Sequence, residues 1–463
     1  MKESPIYLLL LILIFTSCQS EKNNVNGFIK NSVQDTEISG YLYVKKEGQI
    51  IYNDTVQSPS LAIQALNDST RVYLASLSKL FTEIAVLRLS DRGKIDLNHS
   101  IINHRDSFKP VFGQKIKIID LLNMRSGLPR ELNQDTLPRV QFDSSGRAGP
   151  FIDTIPEFEL SFKPGTKEAY SNLNYWILGA IIEKASNKNL HDALVELIFD
   201  ELNMKSSGLF TTYEPIRNGF IYKNDAWEMD ENAYAYRYAS GGCYSSIKDL
   251  VQLSEALSGS RFLKSDSKKL LMNSNNKIEI FGSLPGNSNM YIQDFKNEYL
   301  IISLNNIGLR DLSFMTTLKD GIENELGIEK EARKKRVVQL DPIENLNDSI
   351  SIERSLKAWA EAVESEDADK IFKILQSASV EGSMSKEDRT WADLSDLNAT
   401  LPNFRALGFR WVKDQKPEGI EVWFGSDMEG KLAIRWLISE DNPALVENIF
   451  IMPDDMTWQG KSY

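Results

Sequence analysis

The chain has 463 residues, enough for about two or three domains, with 42% hydrophobic and 25% charged residues, an ordinary globular balance. Its net charge of −12 argues against a nucleic-acid partner, which needs a basic surface to meet phosphate. The histidines His99, His104 and His191 are scattered away from cysteines and carboxylates, so neither a metal nor another cofactor is expected. Cys18 and Cys243 alone make no disulfide framework.

At the N-terminus, Lys2 precedes an apolar run from Ile6 to Phe15. A run of about ten residues is too short to span a bilayer, which takes about 20, and fits the core of a signal peptide. Thr16 and Ser17 then lead into Cys18 and the polar stretch QSEKNNVNG. Small residues before a cysteine resemble a bacterial lipoprotein cleavage box, with Phe15 in place of the usual leucine. The resemblance implies a signal peptide over 1–17 and a lipid on Cys18. The mature protein would sit in the cell envelope outside the inner membrane, on a polar tether over 18–35. An ordinary secretory signal with an incidental cysteine is the other reading.

Residues Ile38 to Thr55 read as a β-hairpin turning at Glu47-Gly48. A helix is predicted through Leu77, Leu80, Phe81, Ile84 and Leu87, with Gly93 just past its end. IKIIDLLNMRSGLP reads as a short helix stopped by Gly127 and Pro129. FKPGTKEAYSNLNYWILG reads as a loop entering an apolar helix from about Leu173, and SGGCYSSIKDLVQLSEAL as a glycine turn before another helix. Met290 to Leu304 alternates like a pair of strands. The charged EKEARKKR marks a connector over 329–345. Beyond it, IERSLKAWAEAVESEDADKIFKIL predicts an amphipathic helix. GIEVWFG, KLAIRWLI and ALVENIFIM then predict an antiparallel meander, together a small α+β accessory domain over 346–463.

Chemistry centres on VYLASLSKLF, where Ser76 stands three residues before Lys79. The spacing S-x-x-K also occurs at Ser245–Lys248, Ser265–Lys268 and Ser383–Lys386, so spacing alone decides nothing. Context sets Ser76 apart, because an extended segment there gives way to an apolar helix. Residues at i and i+3 share a helix face. A lysine buried by Leu77, Leu80 and Phe81 has a depressed pKa and can take a hydroxyl proton. Free N–H groups of the helix start can hold an oxyanion. An ordinary N-cap serine is the alternative. In AYSNLNYWILG, Tyr170 can relay a proton and the Asn172 amide can orient a lysine or hold a substrate carbonyl. Tyr170 also reads as a packed aromatic.

Ser76–Lys79, LLNMRSGLP, YSNLNYWILG and SGGCYSSIKDL, in that order, resemble the serine β-lactamase and penicillin-binding-protein superfamily. The branch most similar is that of class C β-lactamase-related hydrolases. The resemblance implies an α+β fold over 36–328, an antiparallel sheet flanked by helices with a helical subdomain beside it. It implies Ser76 as acylated nucleophile, Lys79 as base, Tyr170 as proton relay and Asn172 as substrate-orienting amide. A third family motif, a basic residue two before a glycine, falls in KIEIFGSLPGNSNMYI, a segment that also looks shortened. Gly282 fits as a substrate-binding position, but Ile280 stands where the cation belongs. Lys277 lies on the opposite strand face by alternation.

Two functions follow. One is an envelope serine hydrolase acting through a Ser76 acyl-enzyme on a peptide or small ester or amide. The other is a catalytically impaired lipoprotein that binds such a ligand in the same cleft. An apolar Ile280 favours neutral esters or amides over carboxylate-bearing β-lactams, since losing one electrostatic group commonly costs about 10²–10³ in rate.

Overall fold

The computed structural model describes residues 22, 24–33 and 37–328, apart from 62, 109, 130–139, 158, 211–215, 217, 224–225, 231–234 and 309–312. It also describes strand backbones over 405–412, 419–425, 431–438 and 446–453. The chain divides into two compact units, 1–332 with 460–463, and 333–459.

In the first unit the hairpin forms as β1 (Ser39–Lys46) and β2 (Gln49–Gln57). Glu47 and Gly48 both take positive φ, 48° and 81°, which a two-residue hairpin turn requires to match the twist of its strands. Downstream come short strands β3 (Val72–Tyr73) and β4 (Gly208–Leu209), then a hairpin of β5 (Phe220–Lys223) and β6 (Ala226–Met229). β7 (Cys243–Ser245) precedes three long strands, β8 (Lys277–Leu284), β9 (Asn287–Asp294) and β10 (Tyr299–Asn305). The helices include α1 (24–33), α2 (Ser78–Asp91), α3 (Ile118–Leu122), α4 (Asn172–Ser186), α5 (Ile247–Ser258) and α6 (Ser313–Glu325).

The main sheet runs β2-β1-β10-β9-β8, each neighbouring pair antiparallel, with β8 at one edge. Alternate side chains enter two separate cores. Tyr43, Ile280, Tyr291 and Ile302 join one, while Leu42, Val44, Met290, Ile292 and Ile301 join the other. Because both faces are covered, every residue of β9 and β10 is buried, and YLIISLN reads almost continuously apolar. Leu250, Leu253 and Leu257 of α5 belong to the first core. Met315, Leu318 and Ile322 of α6 join the second with Val25 and Ile29 of α1. Residues 24–33 thus form a packed helix inside the stretch expected to be a polar tether.

α2 is buried from Ser78 to Leu89, so its polar side chains need internal partners. Ser78 Oγ accepts from Cys243 N at 3.0 Å, and Thr82 Oγ1 donates to Ala239 O at 2.8 Å. Tyr175 of α4 donates to Glu83. These bonds fasten α2 to α4 and to the segment leading into β7.

The second unit is a meander of β11 (Arg405–Val412), β12 (Gly419–Gly425), β13 (Lys431–Ile438) and β14 (Val446–Pro453), paired antiparallel in chain order. β11 adds a strand to the three read from the sequence. The helix expected over 352–375, the signal segment and Cys18 lie outside the described residues. Among the described residues no helix is long and apolar enough to cross a membrane.

Candidate active site

Ser76 stands on a short turn between a strand and a helix. β3 pairs with β7, and Leu74 N donates to Cys243 O at 3.0 Å, which pins the approach. Ala75 then takes φ 53°, a left-handed conformation that costs a non-glycine residue about 1–3 kcal/mol. A 3₁₀ turn, Ala75–Leu77, leads into α2, so the α-helix starts two residues after Ser76 rather than at it. Ala75 and Leu77 are buried, whereas Ser76 is half-exposed. Leu74 and Leu77 occupy the two cap positions without a side-chain bond, so Ser76 is not an N-cap. The N–H groups of Leu77 and Ser78 are spent inside the turn, on Leu74 O and on Ala75 O and Ser76 O. Those two are not left over for an oxyanion.

Lys79 lies one turn on, fully buried. Its Nζ donates to Ser240 O at 2.7 Å, to Asn172 Oδ1 at 3.0 Å and to Ser76 Oγ at 3.3 Å. It also stands 4.9 Å from the ring centre of Tyr170 and 5.3 Å from that of Tyr175. Burial holds the amine below its ordinary value. Tyr170 opposes that shift, the positive charge of Arg237 adds to it, and Glu83 opposes it again. A neutral amine has two N–H bonds and one lone pair. In that form Asn172 Oδ1 and Ser240 O take the two N–H bonds, and the 3.3 Å contact reverses, with the Ser76 hydroxyl donating to the lone pair.

Tyr170 and Asn172 sit where a loop becomes α4. Tyr170 OH and Ser76 Oγ are 2.9 Å apart, and Tyr170 OH donates to Asn172 Oδ1 at 3.1 Å. The segment after α3 holds this loop in place. Ala169 N donates to Met124 O at 2.8 Å, Gly165 N to Arg125 O at 2.8 Å, and Ser171 Oγ to Pro129 O at 2.6 Å. LLNMRSGLP therefore acts as a backbone clamp on the loop that carries Tyr170.

The carbonyl of Ser240 is the contact that sequence reasoning missed. It comes from the start of SGGCYSS, where Tyr238 takes φ 47° and ψ −136°. That kink turns Ala239 O toward Thr82 and Ser240 O toward Lys79. The segment was flagged in the sequence, but a backbone acceptor leaves no side-chain signature.

β8 passes close beside the turn. A Cβ at Gly282 would overlap Leu74 O and lie 2.9 Å from Leu77 N and 3.2 Å from Ser76 N, so only glycine permits this approach. Ile280 is buried in the same core as Leu77 and Leu80. Lys277 points to the other face, where Nζ meets Tyr299 OH at 2.7 Å and Asp294 and Glu323 at 3.2 Å. It brings no charge to Ser76.

Among the described residues no group of three His, Cys, Asp or Glu is placed to hold a metal ion. Burial pushes the Cys243 thiol up to about 12, against an opposing hydrogen bond from Ser78, which makes it a packed and unreactive residue.

A family model described as Beta-lactamase matches residues 25–286. The chain is 30% identical over 200 residues to an N-acetylmuramyl-L-alanine amidase of Bacillus subtilis (strain 168), covering 40% of this chain and 44% of that protein. It therefore spans less than half the length of that relative. In fold it is similar to a penicillin binding protein from Bacillus halodurans, with TM-score 0.52 at 20% identity over 64% of this chain and 98% of that one. It is also similar to a class C beta-lactamase solved with cefoxitin, with TM-score 0.53 at 16% identity over 66% and 99%. The fold is the β-lactamase-like α+β architecture that the ordered motifs implied.

Proposed function

The chain belongs to the beta-lactamase family, and from that we propose that it is a serine hydrolase acting through a Ser76 acyl-enzyme, lipid-anchored in a bacterial cell envelope through Cys18. The observation that carries this reading is the contact of one hydroxyl with two proton-handling groups, Lys79 Nζ at 3.3 Å and Tyr170 OH at 2.9 Å.

In the acylation step, neutral Lys79 takes the Ser76 proton as Oγ bonds to the substrate carbonyl carbon. The tetrahedral centre then expels its alcohol or amine. Tyr170 gives that leaving group a proton and regains one from Lys79. Asn172 Oδ1 holds both Lys79 and Tyr170 in line throughout. Water, or another nucleophile, cleaves the ester on Ser76 by the same path in reverse. The amidase relative and the penicillin-binding neighbour support an amide or ester of cell-wall peptide type as acyl donor.

Ile280 favours one second reading, a binding lipoprotein that holds such a ligand without turnover. Intact-mass analysis of the mature chain in detergent separates them. It would be incubated with a fluorophosphonate and, separately, with a penicillin. Ser76-dependent adducts, absent in Ser76→Ala, support the hydrolase. No fluorophosphonate adduct on the wild type would sink it in favour of binding.

A further inference from the structure

The kink that carries the Ser240 carbonyl falls on a residue type that does not favour it. Tyr238 takes φ 47° and ψ −136°, a conformation that glycine enters freely and a residue with a Cβ does not. Gly241 and Gly242 follow close by, yet the strain sits on an aromatic residue. Strain of this kind persists only where the surroundings over-determine it. Around Tyr238 they do. The residue is fully buried. Its ring lies against α4 at Gly179, where a Cβ would come within 2.5 Å of Tyr238 Cε1 and 2.7 Å of Ala239 Cβ. Phe142 meets the ring edge-on, with 5.9 Å between centres. The carbonyl of Tyr238 accepts from Gly242 N at 2.8 Å and from Gly241 N at 3.3 Å.

The next two carbonyls both turn onto α2. Ala239 O accepts from Thr82 Oγ1 at 2.8 Å, and Ser240 O from Lys79 Nζ at 2.7 Å. A return of residue 238 to negative φ would re-aim both. The phenol itself offers no proton chemistry. Burial, with the Glu183 charge adding to it, holds the hydroxyl well above its ordinary value, so it stays protonated.

We propose that Tyr238 is a positioning residue for acylation: its ring, seated on Gly179, keeps the backbone kinked, and the kink holds the Ser240 carbonyl on Lys79. The inference rests on the acyl-enzyme reading above and adds to it a residue that works through the backbone.

Fluorophosphonate labelling of Ser76 tests this in the wild type, Tyr238→Phe, Tyr238→Gly and Tyr238→Ala. Rates are taken per folded molecule, counted by near-ultraviolet circular dichroism, so a loss of stability alone leaves them equal. Tyr238→Phe keeps the ring and labels near the wild-type rate. Tyr238→Ala loses the ring and keeps the strain, so the kink relaxes and labelling falls about tenfold or more. Tyr238→Gly also loses the ring but holds the kink without strain, and it recovers most of that loss. Glycine labelling no faster than alanine overturns the assignment, as does Tyr238→Phe labelling as slowly as Tyr238→Ala. Gly179→Ala leaves Tyr238 whole and drives a methyl group into its ring, and its labelling falls too. A wild-type rate there overturns the role of the seat, whether or not truncation at 238 is tolerated. A second readout needs no reaction at Ser76. In chains carrying ¹³C at lysine Cε, the Lys79 signal is identified by its loss in Lys79→Met and followed against pH. Tyr238→Ala displaces its midpoint, since an ammonium that loses a carbonyl acceptor is held differently, and Tyr238→Gly restores it. That result supports Tyr238 even if Ser76 is never labelled, in which case only the acyl-enzyme reading falls. Equal midpoints in Tyr238→Ala and Tyr238→Gly overturn the role of Tyr238.

Discussion

Lys79 Nζ lies 2.7 Å from the carbonyl oxygen of Ser240, a residue 161 positions further along the chain. The lysine is thus held by backbone as well as by side chains, and no substitution at 240 removes that acceptor. Ser240→Ala, which loses only the hydroxyl, should slow fluorophosphonate labelling of Ser76 far less than Lys79→Met. The latter should lose about 10²–10⁴, the usual worth of a positioned base. Equal losses would mean that the lysine matters for packing and not for proton transfer.

The depressed pKa of Lys79 gives a signed pH dependence. In the folded chain the amine titrates below its ordinary value of 10.5, because it is buried. Between the folded value and 10.5 the unfolded chain binds more protons, so stability rises with pH across that window. Below it the penalty is constant, and above 10.5 it is gone. The stability difference between wild type and Lys79→Met, from urea midpoints, should shift toward the wild type as pH climbs to 10.5. Labelling should rise with pH and level off before 10.5. A flat difference would count against a depressed amine.

Tyr170→Phe keeps the ring that packs 4.9 Å from Lys79 Nζ and deletes only the hydroxyl. Turnover of a thioester should fall by about 10²–10⁴, with the melting temperature nearly unmoved. Full activity in this variant would take the proton path away from Tyr170.

Gly282→Ala drives a methyl group into the carbonyl of Leu74. Overpacking of this kind costs about 1–3 kcal/mol, and here it falls on the turn that holds Ser76. Both the denaturation midpoint and the Ser76 labelling rate should drop. Unchanged values would mean that β8 can withdraw from the turn.

Cys243 is buried with its thiol pushed up to about 12. A disulfide reagent such as DTNB should leave it unmodified at neutral pH in the native chain and react with it in denaturant. Fast modification of the native chain would show that the segment from Ser240 to β7 opens.

Much of the candidate site's geometry was legible because its parts are local. Ser76 with Lys79, and Tyr170 with Asn172, each lie within one turn of chain, so spacing carries their relation. The hairpin was legible through Glu47-Gly48, whose conformation few other pairs adopt. What escaped had physical reasons. Ser240 acts through its backbone. β7 has three residues among glycines and serines, too few to show alternation. In β11 a register shift between Ala406 and Gly408 breaks the period-two pattern. In α1, Val25, Phe28 and Ile29 keep helical spacing, but the polar residues around them mask it.

That small helix also bears on the attachment proposed through Cys18. With Val25 packed into the protein body, the lipid proposed on Cys18 would be joined seven positions from the folded mass. Seven positions reach about 24 Å at full stretch, under half of what the seventeen positions from Cys18 to residue 35 would allow. Anchored there, the protein would survey a thin layer next to its bilayer, and the acyl donors proposed for it would have to enter that layer.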